Sequence, residues 1–353
     1  MRASPDPSPL ALKLERAIER GGPIPVAEFM AEANAHYYAT RDPFGAAGDF
    51  ITAPEVSQMF GELIGLWLAD LWLRARSPAH AHYVELGPGR GTLAADALRA
   101  MRSVRCAPPV HFVETSPALK SMQAETVPGI VWHDAIATLP EDGPLLVVAN
   151  EFFDALPIRQ FIATHAGWRE RVVARDRGGF EAIPGSAPAD ALIPEQFRRA
   201  PTGTIIERAP AAAGICRDLA ARIADQGGAA VLIDYGYEGP APGDTLQAVK
   251  GHEHVDPFDE PGERDLTAHV DFAALAREGR AAGLRVFGPV AQGDWLCGLG
   301  LDARAASLGA TAPERAIEIA EVRARLTGAD QMGQLFKVLA LVAPDWPEPE
   351  GFT

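Results

Sequence analysis

The chain has 353 residues, 47% of them hydrophobic and 22% charged, and a formal net charge of −15. The length calls for one large domain with a satellite, or two domains, and the composition excludes long disorder away from the ends. The charge excludes a nucleic-acid binder, because phosphate contacts need clustered Lys and Arg; it suits a cationic ligand or a basic protein segment, or serves solubility alone.

Cys106, Cys216 and Cys297 are far apart and odd in number, so neither a disulfide framework nor a paired-cysteine metal site is expected, and a reducing compartment fits. No apolar run reaches the ~18 residues that span a bilayer. The opening "MRASPDPSPL" has no apolar signal core and reads as a short loose tail.

Leu10 to Arg20 has helical apolar spacing and stops at Gly21-Gly22; Pro25 to Ala35 starts a second helix. A loop rich in Gly, Pro and Asp follows. Thr52 and Glu55 form a capping box, and Val56, Phe60, Leu63, Ile64, Trp67 and Leu71 then recur at helical spacing. Gly61 and Gly65 on that helix predict close packing against a neighbour.

From His82 the pattern becomes strand, turn, helix. "HYVELGPGRGTLAADALRAM", "VHFVETSPALKSMQAET", "IVWHDAIATLP", "GPLLVVANEFFDALP" and "AAVLIDYGYEG" each contain a short apolar run. Such runs alternating with helices predict a parallel sheet covered on both faces. Between Pro157 and Gly227 the pattern breaks into alternating strands around a Gly-Gly turn and then a helix from Glu207 to Ala224, which reads as an insertion. "LRVFGPVAQGDWL" and "QLFKVLALVAP" are the expected closing strands, with the amphipathic "APERAIEIAEVRARL" between them.

The glycine turn carries the first chemical signal. Gly87, Gly89 and Gly91 have the spacing GxGxG rather than the GxGxxG of a pyrophosphate binder. Glu85 stands just before them. A carboxylate there repels a diphosphate and attracts a cation, which favours S-adenosylmethionine, with its sulfonium and ammonium, over NAD. Glu114 ends the next strand, about 20 residues on, where an acid pairs with ribose hydroxyls. Asp134 ends the third, within reach of an adenine amino group. Three acids at successive strand ends mark the edge where ligands bind in open α/β sheets.

Together "ELGPGRGTL", "FVETSP", "NEFFDALPIRQF", "GDFITAPEVSQMFGELIG", "DLTAHVDF" and "FKVLAL" resemble the MidA-like family of S-adenosylmethionine-dependent protein-arginine methyltransferases, which act as complex I assembly factors. The resemblance runs from about Tyr37 to the last strand. It implies a class I methyltransferase-like (Rossmann-like) α/β fold with a mostly parallel sheet of about seven strands whose last strand is antiparallel. It implies a helical N-terminal extension and lid over 1–80 and a methyltransferase domain over 81–353. Within that domain it leaves an insertion at about 158–226 and a helical segment at about 300–330. It also implies S-adenosyl-L-methionine as cofactor and symmetric dimethylation of an arginine on a complex I core subunit. The compartment expected is the bacterial cytoplasm, or the mitochondrial matrix in a eukaryote.

The stretch "VVANEFFDALP" then acquires roles. A guanidinium stays protonated at physiological pH, so carboxylates are suited to hold it and to stabilise the departing charge. Glu151 and Asp154 occupy that place after the fourth strand, with the alternative that both merely face a helix start. Asn150 offers a carbonyl to cofactor and acceptor. One of Phe152 and Phe153 is expected in the core and the other at the pocket as a cation–π wall. The preceding loop, with Asp49, Phe50 and Thr52, looks like a lid on the cofactor.

His252, His254 and Asp256 lack the further ligands a zinc shell needs, and the chemistry requires no metal. The acids there and "DLTAHVDF", Asp265 to Phe272, are candidates for lining a basic-peptide entry. Asp234 and Tyr235 fall on the same edge without an assigned chemistry. The competing readings are a small-molecule N- or O-methyltransferase and a cofactor-binding complex I assembly chaperone without methyl transfer. A dehydrogenase is disfavoured by Glu85.

Overall fold

The computed structural model describes residues 8–40, 53–176, 179–250 and 253–352. The expected lid residues Asp49, Phe50 and Thr52, and His252 of the candidate metal loop, lie outside them. The chain opens with helices α1 (Pro9–Gly21) and α2 (Val26–Thr40), separated by the short strand β1 (Ile24–Pro25). Ser8 caps α1 by accepting from the Ala11 N–H. After the undescribed loop come α3 (Ala53–Val56) and α4 (Gln58–Arg74). The helix expected to start at Thr52 is thus broken. Ser57, in extended conformation, accepts from the Met59 N–H and caps α4, while Glu55 takes a hydrogen bond from the Thr92 hydroxyl at 2.7 Å.

The central unit alternates β2 (His82–Leu86), α5 (Thr92–Ser103), β3 (Val110–Val113), α6 (Pro117–Thr126), β4 (Ile130–His133) and β5 (Leu145–Asn150). Then come β6 (Arg159–Thr164), β7 (Gly167–Asp176), β8 (Gly179–Pro188) and β9 (Ile205–Arg208), followed by α7 (Pro210–Gln226) and β10 (Gly228–Tyr237). A small hairpin sheet uses β11 (Gln247–Lys250), β12 (Glu253–Val255) and β13 (Asp265–Thr267). The chain closes with β14 (Val270–Asp271), α8 (Phe272–Ala281), β15 (Arg285–Ala291), α9 (Gln292–Gly298), α10 (Leu301–Thr311), α11 (Ala316–Thr327), α12 (Met332–Leu335) and β16 (Phe336–Val342).

The eight-stranded central sheet follows the path β4-β3-β2-β5-β10-β16-β15, with β14 added to the end of β10. β4, β3, β2, β5 and β10 run parallel. β16 enters antiparallel between β10 and β15. β2 and β5 are buried along their whole length, which is why they read as unbroken apolar runs. The sheet edge where the parallel strands end is therefore the only part of β2 and β5 that can hand side chains to a ligand.

The insertion strands form a separate antiparallel sheet, β1-β7-β6-β9 with β8 on β7. Its core is shared with the N-terminal helices: Leu14, Phe29 and Met30 pack with Ile158 and Val173. The helix at the end of the expected insertion, α7, joins the main core through Leu219 and Ile223, so it belongs to the central sheet and not to the satellite. α10 is tied down by Arg304, which donates to both carboxylate oxygens of Glu62 on α4 at 2.7 and 3.0 Å.

Gly61 and Gly65 do lie where α4 crosses α5. A Cβ on Gly65 would stand 2.3 Å from the Ala97 carbonyl oxygen, whereas one on Gly61 would meet the Asp96 Cβ at 2.8 Å. The overlap at Gly65 is the deeper, so Gly65→Ala should destabilise by about 2–3 kcal/mol, in the range of core overpacking, and Gly61→Ala by less. Urea unfolding of the two variants measures the order; equal losses would show that the helices separate freely.

Candidate active site

β2 delivers Glu85 to the sheet edge, and the chain then turns through Gly87, Gly89 and Gly91 into α5. All three glycines have positive φ, and Gly91, at φ 83°, is the N-cap of α5. Gly87 also has no room for a side chain, since a Cβ would lie 2.8 Å from Cδ2 of Phe152. Glu85 is 3% exposed. It accepts from the Tyr83 hydroxyl at 2.7 Å, and burial pushes its carboxyl up to about 8.

β3 delivers Glu114 beside it. One Glu114 oxygen accepts the N–H groups of Thr115 and Ser116 at 2.8 and 2.7 Å. The other accepts from Gln123, whose amide also donates to the Gly89 carbonyl at 2.8 Å. Trp132 donates to the Gln123 oxygen. A fully buried glutamine on α6 thus fastens the glycine turn to Glu114.

β5 ends in Asn150 and Glu151. Glu151 has φ 49°, a left-handed conformation rare for a side chain of this size. Its N–H donates to the Ile233 carbonyl. Its Oε1 accepts from the Ala53 N–H at 3.2 Å and the Asn150 amide at 3.1 Å. Burial first, then the charge of Asp154, raises its carboxyl to about 7; the Arg325 guanidinium of α11 pulls weakly the other way. Asn150 Oδ1 is buried and takes no hydrogen bond among the described residues.

Two cavities meet at Glu151. One, of about 40 Å³, is lined by Glu85, the glycine turn, Thr92, Asn150 and Glu151. The other, of about 370 Å³, is lined by Asn34, Tyr38, Gly87, Glu114, Glu151 and Phe152, among others. Phe152 is therefore at the cavity, and Phe153 is in the core at 2% exposure.

Asp154 departs from its expected setting. No helix starts there: the chain turns and enters β6. Its carboxylate is buried, lines neither cavity, and has an oxygen without a hydrogen-bond partner. Burial raises it to about 6. Beneath it Asp234, 1% exposed, accepts from the N–H groups of Phe153 and Asp154 on one oxygen, at 3.0 and 3.2 Å, and from that of Tyr235 on the other, at 3.0 Å. Burial and the neighbouring Asp154 and Glu151 push Asp234 well up. Of the two acids in "DLTAHVDF", Asp265 is buried with Thr267 and cannot line an open entry, whereas Asp271 is half-buried.

Asp134 lines neither cavity. Its side chain is 80% exposed and paired with Lys120 at 2.9 Å. The Lys120 ammonium on α6 holds the carboxylate at the surface.

Sequence reasoning missed three residues. Asn34 on α2 donates to the Ala155 and Leu266 carbonyls and accepts from the Leu266 N–H. Tyr38 donates to Asp265 at 2.7 Å, and Gln123 acts as described. The first two lie on an N-terminal helix whose only sequence signal is helical spacing. No group of His, Cys, Asp and Glu fit to hold a metal occurs among the described residues.

A parallel sheet closed by a reversed strand, with a glycine turn and buried carboxylates on one edge, defines a methyltransferase of the Rossmann-like class. The family described as "Putative S-adenosyl-L-methionine-dependent methyltransferase" matches residues 63–290. The chain is 39% identical over 338 residues to the mitochondrial protein arginine methyltransferase NDUFAF7 of Mus musculus, covering 84% of this chain and 75% of that one. It is 36% identical over 375 residues to the Drosophila melanogaster homolog, covering 94% and 84%. A Burkholderia thailandensis protein solved with S-adenosyl-homocysteine bound superposes with a TM-score of 0.84 at 26% identity, covering 99% of this chain and 97% of that one. The chain belongs to this family of S-adenosyl-L-methionine-dependent methyltransferases.

The residues present fit that cofactor. The buried Glu85 carboxylate and the unpartnered Asn150 Oδ1 suit a cationic amino-acid moiety. The Gly87 cradle admits close approach, and Glu114 stands at the end of β3 for ribose hydroxyls. When bound, the cofactor supplies a methyl group activated by its sulfonium.

A carboxyl near 8 is mostly protonated at pH 7, and a cation placed beside it favours the ionised form. Binding of S-adenosylmethionine at pH 7 should therefore release up to about one proton from Glu85. Calorimetry in phosphate and Tris reads this as a binding enthalpy that depends on the buffer, and Glu85→Gln should remove most of the dependence. Identical enthalpies for the unaltered protein would sink this role of Glu85.

Proposed function

We propose that this chain transfers methyl groups from S-adenosylmethionine to an arginine side chain of a protein, with symmetric dimethylation of a complex I core subunit during assembly as the specific reaction. The observation that carries the reading is Glu151. A carboxylate with its Oε1 already engaged stands between two cavities, and its Oε2 takes no hydrogen bond among the described residues. That leaves an oxygen for the N–H groups of a guanidinium. The relatives named as protein arginine methyltransferases support the same acceptor.

In this reading a guanidinium nitrogen attacks the methyl carbon in line, the carbon–sulfur bond breaks, and the nitrogen gives up its proton to Glu151. A carboxyl raised to about 7 suits that transfer better than an ordinary glutamate would. Asn150 and Glu85 hold the donor side, and Phe152 closes the wall above Gly87. Asp154, sealed away from both cavities, acts on Glu151 by charge rather than by touching the acceptor.

The relatives' mitochondrial names support the matrix as compartment for a eukaryotic source, and a bacterial source would place the reaction in the cytoplasm. No helix among the described residues is long and apolar enough to cross a membrane. The test is mass spectrometry of the complex I core subunits after incubation with the purified protein and isotopically labelled S-adenosylmethionine. Symmetric dimethylarginine on one of them is expected. Label confined to small molecules would establish the small-molecule alternative, and binding of S-adenosylhomocysteine without any transfer would leave the chaperone one.

A further inference from the structure

A third cavity, of about 390 Å³, lies on the other side of the Phe152–Phe153 pair from the cofactor edge. Its volume is in the range of small-molecule sites. The insertion strands β6 and β9, the first turns of α7 and α8 and the segment 268–271 enclose it. Phe153, Phe161, Leu192, Ile206 and Val270 make its wall apolar.

The charges around it are unusual for a chain of net charge −15. Arg159, Arg208 and Arg277 all line it. The Arg159 guanidinium is held by both oxygens of Glu170, at 2.8 and 2.7 Å. Of the acids that line it, Glu207 is buried and occupied by Gln160 and by the N–H and hydroxyl of Thr245. Asp271 caps α8 through the Ala274 N–H at 3.0 Å. It faces Arg208 and Arg277, but neither makes an ion pair within 4 Å among the described residues. Arg208 spends one N–H on the Leu192 carbonyl, and the remaining donors of both arginines are open.

An apolar hollow with two guanidinium groups on its rim, which share the single acid Asp271 without direct ion pairs, matches a ligand with an apolar body and one carboxylate head. The guanidinium fork receives a carboxylate in two parallel hydrogen bonds, and the body removes the apolar wall from water. We propose that this cavity is a binding site for a small amphipathic carboxylate, separate from the methyl-transfer site. The inference does not depend on the acceptor assigned above, since none of the residues named for it lines the cofactor cavities.

The probe is decanoate, titrated into the full chain by calorimetry, with decylamine as the cationic counterpart of equal body. Saturable binding of decanoate with one site per chain is expected, with none for decylamine. Arg208→Ala combined with Arg277→Ala should weaken decanoate at least ten-fold. Ala213→Trp, which fills the hollow from a half-exposed position on α7, should abolish it. S-adenosylhomocysteine affinity should stay within two-fold of the unaltered protein in every variant, which shows the fold intact. Failure of decanoate to saturate, equal binding of decylamine, or unchanged affinity in the paired arginine variant would each overturn the proposal.

Discussion

Glu151→Gln will bind S-adenosylhomocysteine with nearly unchanged affinity and lose about 10²–10³-fold in kcat, the loss typical of removing one preorganised electrostatic group. The variant keeps an acceptor for the Ala53 and Asn150 N–H groups, so the local turn survives. What it removes is the negative charge facing the guanidinium and the group that takes its proton. The pH profile separates this from a steric effect. With its carboxyl raised to about 7, Glu151 of the cofactor-free chain is mostly protonated at pH 6 and mostly ionised at pH 8. The bound cations favour the ionised form, so turnover by the unaltered protein should climb with pH through an inflection at or below 7, and the variant's residual rate should not. Single-turnover rates across pH 5–8.5 measure it. A variant that retains full rate, or the same pH inflection, removes Glu151 from the chemistry.

The same shift has a stability consequence of known sign. Glu85, Glu151 and Asp154 have folded values of about 8, 7 and 6, all above their ordinary ones. At these three groups the folded cofactor-free chain holds more protons than the unfolded chain between roughly pH 4.5 and 8. Their contribution to stability is accordingly greatest at the acid end of that window and is lost as pH rises through the folded values, while burial of His111, which lowers its imidazole to about 4, acts in the opposite direction.

Asp234→Ala should give the other large effect. It leaves the buried N–H groups of Phe153, Asp154 and Tyr235 without their acceptor. At about 1–3 kcal/mol for each unsatisfied buried group, the loss is at least ~3 kcal/mol of stability. The two amides on Oδ2 belong to the turn that presents Glu151 in its left-handed conformation. Loosening that turn by an ångström is expected to reduce kcat by about 10²-fold. Asp234→Asn keeps one oxygen and loses the other acceptor, so it ranks between the unaltered protein and Ala in both measures. Urea unfolding gives the first measure. Initial rates well below the melting temperature give the second, with KM expected to move less than kcat. A variant that is destabilised but turns over normally shows that Asp234 supports the fold without positioning Glu151.

Part of the site is readable from local sequence because its elements are local. The Glu85-to-Gly91 turn, Glu114 at the end of β3 and the polar exit of β5 each lie where an apolar run stops. In a sheet buried on both faces those stops are the edge where ligands bind. The reversed strand β16 and its neighbour β15 were expected from two apolar runs near the C-terminus, and they pair as such. Asp134 is set differently. It too follows a strand, but its carboxylate is exposed and paired with a lysine on the adjacent helix. The long helix expected after Thr52 shows a similar limit, since a helix does begin at Ala53 but the chain breaks at Ser57, which caps the longer helix that follows.

The amino-acid sequence by itself determined the order of buried strands and turns, and with it the edge at which a cationic cofactor meets carboxylates. Apolar periodicity and glycine spacing are properties of neighbouring residues, so no tertiary knowledge is needed to read them. Only the tertiary structure decided which carboxylates are open. Glu151 lines two cavities while Asp154, three residues on, is sealed among side chains contributed by β10 and its surroundings. Asn34 and Tyr38, on a helix near the start of the chain, line the same cavity as Glu151, and Asn34 is fastened to Ala155, 121 residues on. Burial and hydrogen-bond supply set a carboxylate's charge and reach, and both come from segments that local spacing cannot see.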